Sequence, residues 1–438
     1  MKYRLGDICT ITKGDTGIMK AIPGPYTMVA LGEANKTHTE FQFDTKAAII
    51  PLVSSTGHGH ASMKRVKYQE GKFALGNILC AVIPKDENFV LAKYLHIYLH
   101  WNREELLVSQ MKGMANVSLS IGKIADVLVT VPGIEKQQQI VELEQKLVAK
   151  ELVFEKLLTD QLTQIENLNQ AILQEAVQGK LLSEAELTEL KNEQDYEPAN
   201  ILLKRIKAEK AKSGKKEKPL PPIKAAEIPF EIPESWVWCR LGEISKNVEY
   251  GTSQKAEMTS EHIPVLRMNN IQSGKIDYTN LKYVSESIND LPKLFLVDGD
   301  MLFNRTNSYE LVGKTATYRG SNDSMTFASY LIRVQYDMNV ISEFISNYIN
   351  SPICRESQLE PEIIQQNGQA NFNGTKLQNI LIPLPPLSEQ TRIVAEIEKQ
   401  LAKTKQIRQH IIASQQATEQ LLKALLHGAF EVEEMEQV

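Results

Sequence analysis

Several absences limit the classes of protein to which this chain can belong. The chain has 438 residues and only four cysteines, at positions 9, 80, 239 and 354, without a CxxC pair. That spacing excludes a zinc ribbon built on cysteine alone and disfavours a disulfide scaffold. No stretch approaches the roughly 18 apolar residues of a membrane span, and the first residues lack an apolar signal core. We therefore expect a cytoplasmic protein that makes no membrane contact.

Aromatic residues and positive charge are also scarce. Aromatic residues make up 7% of the chain, and 54 Asp and Glu against 49 Lys and Arg give a net charge of −5. A protein that coats nucleic acid would be strongly basic, so that class is disfavoured, although a local basic surface remains allowed. With 42% hydrophobic residues the chain can bury cores, and its length suggests about two to four domains.

What the sequence does contain is an internal repeat. Short blocks recur in the same order in both halves: RLGDI at 4–8 with RLGEI at 240–244, 76–80 with 299–303, 113–116 with 368–371, and 124–141 with 377–394. The last block aligns Pro132 with Pro385 and Gln137 with Gln390. Any single block could be chance, but the preserved order indicates a duplicated scaffold that differs in its insertions.

Each copy combines a mixed globular part with a long helical segment. Short apolar runs between Gly, Pro and Asn predict strands with a few helices, the helices over 91–107 and 341–349. In 134–177 apolar residues recur at a/d spacing: Ile140, Leu143, Leu147, Phe154, Leu158, Ile165, Leu168 and Ile172. A second seam runs through 387–426 at Val394, Ile397, Leu401, Ile411, Leu422 and Leu425, with the polar residues Thr404, Arg408, Gln415 and Thr418.

The polar residues in the second seam favour one partner in a fixed register, which we take to be the first helix. The predicted fold is α+β, with two mixed α/β heads joined by an intramolecular antiparallel coiled coil of pseudo-twofold symmetry. The alternative is two amphipathic helices that each lie on their own domain. The predicted bounds are 1–132 (head 1), 133–182 (first helix), 183–235 (a linker with a charged helix and a flexible, Pro-rich part), 236–385 (head 2), 386–430 (second helix) and 431–438 (an acidic tail).

Signatures of catalysis are incomplete. Gly313-Lys314-Thr315 resembles the end of a phosphate-binding loop, but Ser308 stands where that motif needs glycine. His58 and His60 have no nearby acidic or cysteine partner, so a metal site is not expected. We therefore expect a chain that is not an enzyme and binds no cofactor of its own.

The remaining candidates are polar, amide-rich loops. Arginine pairs with guanine edges and Asn or Gln with adenine edges, while lysines and hydroxyls bind phosphates. The candidate DNA-binding residues in head 2 are Arg267, Asn269, Asn270, Arg305, Asn307, Ser308, Lys314, Gln369 and Asn371. Those in head 1 are Ser54, Ser55, Thr56, His58, Lys64, Arg65 and Lys67. The alternative is that these clusters are ordinary turn chemistry.

Three segments carry a resemblance to a known family. Segment 197–236 contains EPAN, KPLPPI and EIPFEIPESW, segment 304–315 reads NRTNSYELVGKT, and segment 382–394 begins IPLPPLSEQ. Together they resemble type I restriction–modification specificity (S) subunits. The resemblance covers nearly the whole chain, and the order of its parts is specific. The sequence departs from that pattern at Gly133 and Lys136, where the second copy has Pro386 and Glu389.

The resemblance implies two target recognition domains that each read one half of a split double-stranded DNA sequence, with the helices as a spacer. It also implies two modification subunits that carry S-adenosylmethionine and methylate adenine rotated out of the duplex. Two motor–nuclease subunits that use ATP and Mg²⁺ can complete such a restriction system. The competing hypotheses are a coiled-coil scaffold with two protein-binding heads, and an NTPase or nuclease that acts by itself.

Overall fold

A computed structural model of the chain describes residues 1–56, 60–113, 117–212, 219–258, 262–366 and 368–431. It divides into two compact units: Met1–Asp160 with His410–Val438, and Gln161–Gln409. The two long predicted helices are present, and each contributes residues to both units.

The first unit begins with head 1. Its elements are β1 (Lys2–Arg4), α1 (Leu5–Ile8), β2 (Cys9–Lys13), β3 (Tyr26–Val29), β4 (Lys36–His38), β5 (Phe43–Asp44), β6 (Ala47–Pro51), β7 (Lys67–Gln69), β8 (Lys72–Leu75), β9 (Leu79–Pro84), α2 (Ala92–Trp101), α3 (Arg103–Leu106), α4 (Ile121–Ala125) and β10 (Leu128–Thr130), followed by the long helix α5 (Ile134–Val177). The strands form sheets of order β2-β9-β6-β7 and β4-β3-β8-β5 and a β1-β10 pair. The central strand β6 is buried along its whole length, as expected for a continuous apolar run between packed layers.

The second unit contains the linker and head 2. Its elements are α6 (Glu184–Lys191), α7 (Ala199–Lys212), β11 (Val237–Arg240), α8 (Leu241–Ile244), β12 (Asn247–Tyr250), β13 (Ile263–Leu266), β14 (Ile271–Gln272), β15 (Lys275–Ile276), β16 (Lys282–Val284), β17 (Met301–Asn304), β18 (Thr306–Asn307), β19 (Thr315–Thr317), β20 (Thr326–Phe327), β21 (Leu331–Gln335), α9 (Ser342–Ile349), α10 (Pro352–Cys354), β22 (Ile364–Gln366), β23 (Gln369–Asn371), α11 (Gly374–Asn379) and β24 (Leu381–Leu384), followed by α12 (Leu387–Glu431). The sheets have the orders β12-β21-β17-β19, β16-β13-β20, β18-β23-β22, β11-β24 and β14-β15.

The sheet orders reveal the same scaffold in both heads. The order β2-β9-β6-β7 matches β12-β21-β17-β19, and the parallel pair β3-β8 matches β13-β20. One predicted block is wrong, however. Segment 76–80 leads into β9 and 299–303 leads into β17. By sheet order, however, the equivalent of β9 in head 2 is β21, and the equivalent of β17 in head 1 is β6. The blocks look alike because a glycine turn before a buried apolar strand is a common local pattern.

The aligned glutamines have the same structural role in both copies. Gln137 donates to the Pro132 carbonyl at 2.8 Å and accepts from the Leu91 amide at 2.9 Å. Its counterpart Gln390 donates to Pro385 at 2.9 Å and accepts from Ile341 at 2.9 Å. Both side chains are fully buried. Each glutamine therefore ties the start of a long helix to the residue before a head helix, α2 or α9.

The predicted seams are only partly buried. Ile140, Leu158, Ile165 and Ile172 of α5 are buried, and so are Ile397, Thr404, Ile411 and Leu422 of α12. Leu143, Leu168 and Leu425 are exposed, as are Arg408 and Gln415, so the prediction was wrong for these positions. Near the end of α12, Leu426 is buried instead of Leu425.

The linker contains the charged helix that the sequence predicted, α7 (Ala199–Lys212), and this helix packs on head 2. Leu202, Leu203 and Ile206 of α7 are buried in the core of head 2. The described Pro-rich part also contacts head 2, where the Leu220 side chain fills the space beside Gly242. The Ser-Gly-Lys part of the prediction, 213–216, lies outside the described residues.

Arg240 fastens this linker to head 2. Its side chain is 4% exposed. It donates to the carbonyls of Pro221 at 2.7 Å, Pro222 at 3.3 Å and Asn379 at 2.8 Å, and to Glu227 at 2.9 Å. A fully buried guanidinium with acceptors on this many groups fixes their relative positions.

Candidate nucleic-acid interface

The structure brings two of the three candidate loops of head 2 together. Strand β18 pairs with β23, and the Thr306 hydroxyl donates to the Asn371 side chain at 2.9 Å. The backbone amide of Phe372 donates to the Arg305 carbonyl at 2.9 Å. Asn307, Gln369 and Asn371 therefore lie on one small sheet, and Arg305 immediately precedes its strand β18. The Gln369 side chain is exposed.

Arg305 is held by an aromatic ring and a carbonyl. Its guanidinium lies 5.0 Å from the centre of the Tyr250 ring, within the range of a cation–π contact. Its Nη1 donates to the Ser329 carbonyl at 3.2 Å. Tyr250 is fixed in turn, because its hydroxyl accepts from the Gly374 amide at 2.8 Å. This arrangement preorders a charged hydrogen-bond donor near the exposed amide side chain of Gln369.

The rest of the loop after β18 is shaped by backbone contacts. Ser308 accepts from the Val312 amide at 3.0 Å, and the Lys314 carbonyl accepts from the Asn304 amide at 2.8 Å. Arg355 donates to the carbonyls of Tyr309 at 2.6 Å and Val312 at 2.9 Å. Arg355 could not be identified from the sequence, because its acceptors are main-chain atoms more than 40 residues away.

The third candidate loop of head 2 packs elsewhere. Arg267 donates to the Asn280 carbonyl at 2.6 Å, and the buried Asn270 amide donates to Asp277 at 2.8 Å and Thr279 at 3.1 Å. Asn269 is exposed. The side chains of Arg267 and Asn270 thus hold the shape of the loop, and Asn269 offers its amide to solvent.

In head 1 the candidates from Ser54 to Arg65 occupy the equivalent segment, between β6 and β7, and Lys67 begins β7. The Ser54 amide donates to the Val117 carbonyl at 2.9 Å, and the Lys64 amide donates to the Ser55 hydroxyl at 3.1 Å. Thr56 shares a 2.8 Å hydrogen bond with Ser62. His58 lies outside the described residues. The hydroxyls of this segment are therefore largely engaged with one another and with the backbone.

The two basic side chains Arg65 and Lys67 point to a loop that the sequence did not single out. Lys67 Nζ donates to the carbonyls of Ala30 at 2.8 Å and Gly32 at 2.6 Å and to Asn35 at 2.9 Å. Arg65 pairs with Glu33 at 2.9 Å. This loop, 30–35, connects β3 to β4, as the loop 267–281 connects β13 to β16. The repeat, once aligned by strand order, would have revealed it.

Within the described residues, no group of three or more His, Cys, Asp or Glu side chains is arranged to hold a metal ion. The four cysteines are buried and unpaired, and burial raises the pKa of Cys9 and Cys80 to about 12. None of the helices in the described ranges is long and apolar enough to span a membrane.

The fold and the duplicated loop clusters agree with the comparison to protein families. The model of the type I restriction modification DNA specificity domain matches residues 1–164 and again 233–414. These two segments include most of the chain, and the chain belongs to this family.

The chain is 31% identical over 275 residues to the type I restriction enzyme EcoEI specificity subunit of Escherichia coli, covering 60% of this chain and 45% of that protein. It is 32% identical over 274 residues to the EcoAI specificity subunit of the same organism, covering 60% and 44%. The chain thus matches less than half the length of these curated relatives.

Solved structures show the same fold over the whole chain. One comes from a study of complex assembly and conformational transition of the type I R-M system, with a TM-score of 0.63, 16% identity and coverage of 98% of this chain and 97% of that chain. The HsdS subunit from Thermoanaerobacter tengcongensis gives a TM-score of 0.50, 16% identity and coverage of 98% and 96%. At this identity the likeness concerns the fold.

Proposed function

We propose that the chain is the non-catalytic DNA-specificity subunit of a type I restriction–modification complex and reads a two-part DNA sequence, one part with each head. The observation that carries the proposal is the twice-matched family domain, with a polar loop cluster at the same topological position in each copy. In head 2 this cluster presents a fixed arginine, Arg305, and the exposed amide of Gln369, side chains suited to guanine and adenine edges.

We further propose that α5 and α12 form an intramolecular antiparallel coiled coil that sets the unread gap between the two parts. In the second unit, Thr404 donates to Asn169 at 2.7 Å. In the first unit, Ala429 and Phe430 near the end of α12 pack against the core cluster that contains Ile140, near the start of α5. Contacts further along α12 thus involve earlier residues of α5, as an antiparallel pair requires.

In this proposal the chain supplies specificity and its partners supply the chemistry. Two modification subunits would bring S-adenosylmethionine and methylate adenine, and two restriction subunits would use ATP and Mg²⁺. The net charge of −5 does not oppose DNA binding, because only the surface that faces the duplex must be basic. The complex would act in the cytoplasm, where it meets cellular DNA.

The test is selection from a randomised duplex library by the complex of this chain with its modification subunits. The proposal predicts an enriched sequence of two specific parts separated by a fixed number of unread base pairs. Binding should weaken steeply with salt, because phosphate contacts release counterions. A complex that selects no sequence, or only a single continuous one, would contradict the proposal and favour the protein-binding scaffold.

A further inference from the structure

Loop 30–35 of head 1 is rigidly held although it lies at the surface. The Lys67 ammonium bonds three acceptors of this loop, at Ala30, Gly32 and Asn35, at 2.6–2.9 Å. Burial of the ammonium, with Arg65 nearby, lowers the pKa of Lys67. An ammonium has three N–H donors, and here each has an acceptor within hydrogen-bonding distance. The loop is therefore fixed in position before any ligand binds.

This fixed loop presents Glu33 next to Arg65. Arg65 Nη2 lies 2.9 Å from Glu33 Oε1, and the two side chains are 40% and 85% exposed. The hydrogen bond and charge of Arg65 lower the pKa of Glu33, so the carboxylate is ionised at neutral pH and only accepts hydrogen bonds. The bond uses one of the five N–H donors of the arginine. The pair thus offers neighbouring donors and acceptors to solvent.

The order of these groups matches one base-pair edge. In the major groove a G·C pair shows the acceptors N7 and O6 of guanine, followed by the N4 amino donor of cytosine. An arginine beside a glutamate shows two donors followed by an acceptor. An A·T pair shows an acceptor, a donor and another acceptor, so it would place thymine O4 against the carboxylate. Near a phosphate, Glu33 would only repel.

We propose, resting on the function proposed above, that Glu33 and Arg65 together read one G·C base pair in the half of the DNA target that contacts head 1. Arg65 donates to guanine O6 and N7, and Glu33 accepts from cytosine N4. Lys67 holds the loop that carries the carboxylate. The topological counterpart in head 2, loop 267–281, presents Asn269 instead of this ion pair, so the two heads would read different bases.

The experiment compares Glu33→Gln and Arg65→Gln with the wild-type chain, each in complex with the modification subunits. A randomised duplex library is methylated, and the methylated sequences are read. Both variants should lose preference for G·C at the same single position of the head 1 half-site, by roughly 5- to 150-fold. The other positions should keep their preferences.

Glu87→Gln is the matched control, because Glu87 also forms an exposed ion pair in head 1, with Lys46 at 3.0 Å. It should leave every position unchanged. The inference is overturned if Glu33→Gln and Arg65→Gln change no position, change different positions, or lower methylation uniformly over all sequences. If the wild-type complex itself selects no two-part sequence, the proposed function fails first, and the inference fails with it.

Discussion

Replacement of Arg240 by methionine should destabilise the second unit far more than the same change at Arg4 destabilises the first. The two arginines begin the same repeated block, RLGE and RLGD. Arg240 is 4% exposed and bonded to the linker at Pro221, Pro222 and Glu227. Arg4 is 55% exposed and pairs with Asp126, which is 53% exposed.

The magnitudes follow from these environments. Removal of one partner of a buried charge pair costs about 3–5 kcal/mol, and the 39% exposure of the Glu227 side chain reduces this to about 2–4 kcal/mol. The exposed pair of Arg4 should contribute below about 1 kcal/mol. Methionine keeps much of the aliphatic volume at both positions, so the comparison isolates the guanidinium.

Urea unfolding followed by tryptophan fluorescence measures the difference. Trp236 and Trp238 lie in the second unit, and Trp238 packs on Phe230 of the linker with ring centres 5.0 Å apart. The unfolding midpoint of this signal should fall for Arg240→Met and stay close to the wild type for Arg4→Met. Equal losses for the two variants, or an unchanged midpoint for Arg240→Met, would refute the role of Arg240 as the fastener of the linker.

Three further predictions concern DNA reading, pH and the helices. Arg305→Ala should cost about 1–3 kcal/mol and relax a single position of the target, whereas a uniform loss over all sequences in a library assay would identify a phosphate contact instead. Burial lowers the pKa of His96 to about 4 and of His100 to about 3. The stability of head 1 should therefore be complete above the unfolded value of about 6.5 and fall below it by about 1.4 kcal/mol per pH unit for each histidine. Urea titrations at pH 7 and pH 5 measure this fall. An equal loss of stability in a variant with both His96 and His100 replaced by Gln would contradict it. Insertion of four residues near both Lys150 and Arg408 adds about 6 Å to each helix and should widen the unread gap by about one or two base pairs; an unchanged gap in the methylated sequence would remove the helices as its ruler.

The sequence predicted best what repeats and what is periodic. The long helix α5 begins and ends at Ile134 and Val177, where the seam placed it, and the aligned glutamines make the same two hydrogen bonds in each copy. The helix follows from a local periodic pattern, and the equivalence of the two glutamines follows from the alignment of the two copies.

Contacts between distant segments could not be predicted in the same way. The α7 residues Leu202, Leu203 and Ile206 are set among lysines and read as a charged linker helix, because their partners in head 2 lie far along the chain. Loop 30–35 was not predicted as part of the site, because Lys67 holds it mostly through main-chain carbonyls, which carry no sequence signal. The misaligned block has a different cause. Similar glycine-containing sequences at 76–80 and 299–303 precede strands that are not equivalent, β9 and β17.

The most direct test of the central claim is methylation mapping of DNA from cells that express this chain together with its modification subunits. The account predicts methylated adenines within a two-part sequence with a constant gap, and loss of specificity in only one part when loops of one head are changed. Methylation that is absent, without sequence preference, or confined to one continuous site would contradict it.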